Sequence, residues 1–211
     1  MMISGPSCFC CPDCGAPHLR TEIASGNTFR SWLFSDGKME APMLPDVPFI
    51  TKCYRCGLIF YLDSSMRIEP TDEMEASAKY ASFLSREGYG QVIRDKFFRT
   101  DPEEYRIRLR YLWSFNDPFR RSGGCPDWSV DEDFTSNIER LLELTDLNNS
   151  DNLLFAAELN RLAGKFDRSE ELLDQLENKE SETEHNEIIH EIRMKNLVHD
   201  ARLFIIRRGE N

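Results

Sequence analysis

Two short cysteine motifs constrain this chain more than any other feature: Cys11-Pro-Asp-Cys14-Gly15 and Cys53-Tyr-Arg-Cys56-Gly57. Two residues between thiols let both sulfurs of a tight turn point at one centre. The glycine after each second cysteine relieves strain where the backbone turns its N–H groups towards sulfur. Two such turns supply four thiolates, the closed tetrahedral ligand set of a structural zinc site. Cys11, Cys14, Cys53 and Cys56 are therefore the expected ligands of one Zn2+. With every position taken by a protein thiolate, none is open to water or substrate, and the site is expected to be structural rather than catalytic. Lys52 and Arg55 flank the second motif and would offset part of its negative charge.

The spacer between the motifs is 38 residues, longer than the ~15–20 of the compact finger pattern. That length suits a ribbon with a β-hairpin inserted between its two cysteine turns. Ser35-Asp36-Gly37-Lys38 supplies the hairpin, because Asp-Gly between apolar runs is the signature of a type I′ turn. A thioredoxin-like redox motif needs one Cys-x-x-Cys on a βαβ frame, and this region offers neither.

Six of the seven cysteines lie in the first 56 of 211 residues. The odd count and the absence of an export-signal pattern favour metal ligation in a reducing compartment, hence a cytoplasmic protein, over a disulfide framework. Cys8 and Cys10 are surplus and read as mobile free thiols, with Cys10 able to stand in for Cys11 by a one-residue change of register. Cys125 reads as an unligated thiol in a loop beside Gly123-Gly124. His18, four residues beyond Cys14, reads as a surface-loop residue, the alternative being a partner lying behind the ligands.

Composition divides the chain near residue 70. Residues 1–70 hold six Lys/Arg and seven Asp/Glu, whereas 71–211 hold 20 and 30. The expected organisation is α+β: a zinc ribbon over 1–70 with small antiparallel strands, then an all-helical domain over 71–211. Pro70 ends the first part, and Thr71 or Asp72 caps a helix running to about Ser85. Asp101-Pro-Glu-Glu starts another helix, although Tyr105 to Tyr111 alternates like a strand. Apolar stripes follow at Phe134–Leu142 and at Leu153–Leu162, the latter closed by Gly164. Asp167-x-x-Glu170 and Ser181-x-x-Glu184 resemble capping boxes, the second opening a helix that runs to Gly209.

Ala157, Gly164, Phe166 and Ser169 occupy the positions at which a tetratricopeptide repeat places its small, turning and aromatic residues, so 157–173 resembles the middle of one such repeat. Asn160 and Leu176 depart from that pattern. Together with Ser25-Gly-Asn-Thr28, Ser35-Asp-Gly37 and Ala41-Pro-Met-Leu-Pro45, the layout resembles bacterial zinc-ribbon proteins with tetratricopeptide-like helices. The resemblance implies no activity.

The remaining candidates are weaker. Glu182-x-x-His185 and Glu187-x-x-His190 share one helix, where imidazoles five residues apart diverge by roughly 140°, so a di-iron site is not expected, and His199 does not help. Residues 86–121 carry nine bases and six acids interleaved with eight aromatics, a pattern that suits nucleic-acid stacking but suits packing better. Residues 126–187 carry 18 acids and five bases, a solvated face or a surface for a basic partner. The net charge of −11 argues against nucleic-acid binding by the whole surface. No apolar run nears the ~18 residues of a membrane span. Phosphate loops, Gly-x-Ser-x-Gly and His-Glu-x-x-His are absent from the sequence. No catalytic residues are expected. The anticipated function is a zinc-stabilised adaptor that binds another protein. A nucleic-acid or transcription-machinery factor and a thiol switch that releases zinc are the alternatives.

Overall fold

A computed structural model describes residues 1–122, 124–179 and 186–208. Among them the chain is mixed α+β, with seven α-helices and small, mainly antiparallel sheets. It divides into two compact units that do not follow chain order: Met1–Ser31 with Glu40–Val92, and Trp32–Met39 with Ile93–Arg208.

In the first unit, β1 (Met2–Cys10) and β2 (Pro17–Ser25) form an antiparallel hairpin that pairs Phe9 with His18 and Cys10 with Pro17. A second hairpin joins β5 (Ile50–Lys52) to β6 (Ile59–Tyr61). After a 3-10 turn at Ser64–Met66, β7 (Arg67–Ile68) pairs antiparallel with β1, and β8 (Lys79–Tyr80) pairs parallel with β2. The core is small: Phe9, Ala16, Phe60 and Leu62 close on Cys11 and Cys53. Arg20 lies over the Phe9 ring at 4.9 Å and donates to the Leu62 carbonyl at 2.8 Å, so its stem covers this core.

The helix expected from Thr71 to Ser85 is shorter. Thr71 does cap it, accepting from the Met74 N–H, but α1 ends at Ser77 (Asp72–Ser77), because the chain then extends to pair with β2. Gly88 and Gly90 lie inside α2 (Arg86–Arg94), where both are buried. A close approach explains Gly88, since a Cβ there would meet Leu84 Cβ at 3.1 Å.

In the second unit, α3 (Asp101–Asn116) is helical through the alternating Tyr105–Tyr111 stretch, with Thr100 as its cap. It is followed by α4 (Glu132–Glu143), α5 (Ser150–Leu162), α6 (Phe166–Lys179) and α7 (Asn186–Leu197). Every residue from Ala156 to Ala163 is buried, as befits a helix enclosed by its neighbours. Its core joins Leu153, Ala156 and Ala157 to Leu172, Leu173 and Leu176 of α6 and to Ile189 and Ile192 of α7. Ser181-x-x-Glu184 lies outside the described residues. The helix expected to reach Gly209 ends at Leu197. His199 then adopts a left-handed φ of 51°, and β9 (Ile205–Arg207) pairs antiparallel with β3 (Trp32–Phe34) in a sheet completed by β4 (Met39–Glu40).

The Asp36-Gly37 hairpin turn exists between β3 and β4, but not as type I′. Gly37 alone has a positive φ (77°); its N–H donates to the Phe34 carbonyl, and the Phe34 N–H to the Lys38 carbonyl. This three-residue loop leaves Asp36 in an ordinary conformation, with its side chain clamped to the end of α3 and the turn that follows it. Arg120 grips both carboxylate oxygens at 2.9 and 2.7 Å, Asn116 Nδ2 donates at 2.9 Å, and Trp113 Nε1 donates to the Asp36 carbonyl at 3.0 Å. Both members of the Asp36–Arg120 ion pair are almost fully buried. The segment read as a ribbon hairpin is thus an integral part of the helical unit.

Candidate metal centre

The two cysteine motifs fold alike because their local chemistry is alike. In each, the glycine N–H donates to the carbonyl of the first cysteine, Gly15 to Cys11 at 2.9 Å and Gly57 to Cys53 at 3.0 Å. In each, the first cysteine's N–H returns to the residue after the glycine, Cys11 to Ala16 and Cys53 to Leu58. Both glycines need the left-handed region, with φ of 67° and 80°. The two motifs are the loops of the β1–β2 and β5–β6 hairpins, so the ribbon is made by the strands that flank the motifs rather than by a hairpin between them.

This arrangement gathers all four expected ligands. The Cys11, Cys14, Cys53 and Cys56 sulfurs lie within 4.8 Å of one another, with Cys11–Cys56 and Cys14–Cys53 each 3.6 Å apart. Four sulfurs bound at ~2.3 Å to one tetrahedral ion are separated by roughly 3.8 Å, so the set fits a metal such as zinc closely. The spacing is far too long for a disulfide, and all seven cysteines are free thiols. Cys11 and Cys53 are buried in the core, Cys14 is half-buried and Cys56 is exposed.

The electrostatics suit a cation. Burial pushes the Cys53 thiol up, but the Cys56 N–H, the His18 ring, the Arg55 N–H and Cys14 outweigh it and bring its pKa down to about 5. At Cys56 the Leu58 N–H pulls downward, while burial and hydrogen bonds from Cys14, Cys11 and Cys53 push it up to about 12. One thiol ionises readily and another holds its proton against three sulfur neighbours. A divalent ion would displace such retained protons. The Arg55 N–H points at Cys53 Sγ (3.4 Å), and its guanidinium reaches the Cys14 carbonyl. Lys52 is exposed at the end of β5.

Three residues depart from their expected settings. Cys8 and Cys10 are not in a mobile tail: they lie on β1, Cys8 buried and Cys10 half-buried, outside the four-sulfur group. His18 is not on a surface loop. It is 1% exposed on β2, its ring 4.9 Å from Tyr54 and 5.2 Å from Phe60. Its Nε2 has no hydrogen bond of ordinary geometry among the described residues, although the ring lies near enough to Cys53 to help lower that thiol.

Elsewhere the candidates disperse. Cys125 is buried and donates to Asn116 Oδ1. His190 and His199 are exposed, His199 stacking on Phe166, and His185 lies outside the described residues. Among the described residues, only the four cysteines bring three or more potential metal ligands together. In 86–121, Tyr111 and Phe115 are buried and Trp113 spends its N–H on Asp36. Sequence reasoning missed the buried pairs Asp36–Arg120 and Glu158–Arg161. The second is announced by Glu and Arg three residues apart inside the apolar stripe of α5.

No family model matches the chain, and neither a curated protein nor a solved structure matches it. No helix among the described residues is long and apolar enough to cross a membrane.

Proposed function

We propose that the protein is a cytoplasmic adaptor whose N-terminal unit is a zinc ribbon and whose helices, tetratricopeptide-like around α5 and α6, bind a basic protein partner without catalysis. The observation that carries the zinc reading is the closed set of four sulfurs at tetrahedral spacing, with two of its members in the core. Zinc held there supplies folding free energy to a unit with little other core. Support for a basic partner comes from the excess of acids over 126–187, many on exposed helix faces. The burial of Tyr111, Phe115 and Arg120 favours packing over base stacking for the segment 86–121.

Purified protein is expected to carry about one zinc per chain by elemental analysis. Cys14→Ser or Cys56→Ser should lose it, and Cys8→Ser should keep it. Metal-free protein with all four thiols reduced would refute the ribbon. For the adaptor, Glu139 and Glu171 are more than half exposed in surface ion pairs. Reversing both to Lys should leave the fold intact and weaken capture of a partner identified by affinity purification, with a flatter salt dependence. Glu170 is unsuitable for this test, because it accepts from Arg193 and from buried Asn196. Unchanged capture at two salt concentrations would remove the acidic face from the reading.

Exposure of Cys56 favours a second reading, a thiol switch. Peroxide would oxidise two zinc-bound thiolates to a disulfide, taking up two protons, forming two waters and freeing the metal. Zinc retained under peroxide would dismiss it.

A further inference from the structure

The second unit contains a cavity of about 210 Å³ that the metal centre does not use. Its walls are mainly apolar, with Leu33 from β3, Leu154 and Phe155 from α5, Ile188 from α7, and Phe204 and Ile206 from the C-terminal stretch, and the exposed Asp151 also lines it. Two buried polar side chains also line it, Ser35 and Glu158, exposed by 4% and 2%.

The polar end has a definite capacity. Arg161 Nε donates to one Glu158 oxygen at 2.7 Å and Nη2 to the other at 2.6 Å. Two further Arg161 donors go to the Asp200 and Arg202 carbonyls. Four of the arginine's five N–H donors are thus committed, and each carboxylate oxygen has accepted one N–H from it; the Ser35 hydroxyl, which accepts from the Phe204 N–H, takes the third of the four lone-pair sites and leaves one on Glu158. Burial holds the Glu158 carboxyl above the ordinary range even though Arg161 opposes the shift, a sign of dry surroundings.

Protein interiors are packed with few voids larger than a water molecule. An apolar hollow deprives its lining of contact partners and offers water little to bind. An enclosed apolar cavity of ~150 Å³ takes up benzene; this pocket is half open to solvent, and its volume of about 210 Å³ suits a fused bicyclic ring. An apolar pocket with a few convergent polar groups is the usual form of a small-molecule site.

We propose that this cavity binds a small, flat, apolar ligand of fused-ring size carrying one N–H or O–H donor, which the Ser35–Glu158 end accepts. This site is independent of the metal reading and holds whether or not the thiols carry zinc.

Indole and 1-methylindole are probes of this chemistry, differing in the N–H. Each is titrated into the full-length protein and followed by calorimetry and by methyl NMR of the lining Leu and Ile residues. Ile188→Trp and Ile206→Trp fill the cavity from two elements, and thermal unfolding shows which variants remain folded. Saturable indole binding, about tenfold weaker for 1-methylindole and abolished in a folded filled variant, is the expected result. Absence of saturable binding to the wild type, or binding that survives in a folded filled variant, would overturn the site. Equal affinity for the two probes would overturn the polar contact.

Discussion

At position 18 a phenylalanine would fill the same space beside Tyr54 and Phe60, yet the chain places an imidazole there, with its Nε2 unpaired among the described residues and its ring near enough to Cys53 to help lower that thiol. An imidazole N–H facing a thiolate that holds a metal would form a charge-assisted hydrogen bond with it. Loss of a group that supports a metal ligand typically costs 10–100-fold in affinity. His18→Phe is therefore expected to speed zinc transfer to a chromogenic chelator by roughly that factor, with His18→Gln restoring part of it. Equal rates in all three proteins would assign the ring to packing alone. Asp200 supplies a second test at this scale. Burial raises its carboxyl, but the Arg202 side chain and N–H, with Lys195, hold it down at about 2. Its folded value lies below the unfolded ~3.9, so the unfolded chain takes up this proton first as pH falls. The stabilisation is present above pH ~4 and is lost as pH drops through about 2. Urea midpoints from pH 5 to pH 2 should fall less steeply in Asp200→Asn, which starts from a lower value. Parallel curves would count against the assignment.

Among the elements, the α5–α6 connection depends on Gly164. Its φ is 74°, and a Cβ there would meet Ser129 Cβ at 3.2 Å. Backbone strain and crowding act together, so Gly164→Val should destabilise by about 1–3 kcal/mol in chemical denaturation. A change under ~0.5 kcal/mol would show that the turn tolerates a side chain. This glycine was legible as a helix stop because the apolar stripe ended two residues before it, at Leu162. The C-terminal element was not legible in the same way. Ile192, Met194, Val198 and Ile205 do recur at helical spacing, but Met194, Leu197 and Val198 are exposed. After Leu197 the His199 and Asp200 N–H groups close the helix end on Asn196 and Lys195, and Ile205–Arg207 then pairs with β3. Short apolar runs satisfy either period, and the presence of a distant partner strand decides between them.

For the whole molecule, the decisive fact is that Trp32–Met39 belongs to the helical unit although it lies between the two cysteine motifs. A fragment covering 71–211 would lose the partner of β9 and leave Arg120 buried without Asp36. Breaking one side of a buried ion pair typically costs 3–5 kcal/mol. That fragment should melt well below the full chain, and Asp36→Ala in the full chain should reproduce much of the loss. A fragment as stable as the intact protein would refute the clamp. Chelation, by contrast, should abolish the structure of the first unit and spare most of the helical circular dichroism, because the core around Leu153, Leu173 and Ile192 contains no cysteine. Complete helical collapse on chelation would overturn that expectation.

The amino-acid sequence alone determined the four clustered thiols, the caps at Thr71 and Gly164, and the alternation of a cysteine-rich β region with helices. Each of these follows from groups within a few residues of one another, or from the shared chemistry of two repeated motifs. Only the tertiary structure decided that each cysteine motif closes its own hairpin, that His18 is buried, that Asp36 anchors a helix and that the C-terminus becomes a strand. The physical reason is common to all four. A buried ion pair, a ladder of backbone hydrogen bonds or a packed ring is worth its desolvation and ordering cost only where a partner lies opposite. In this chain those partners are up to about 170 residues away, as Ser35 and Phe204 are.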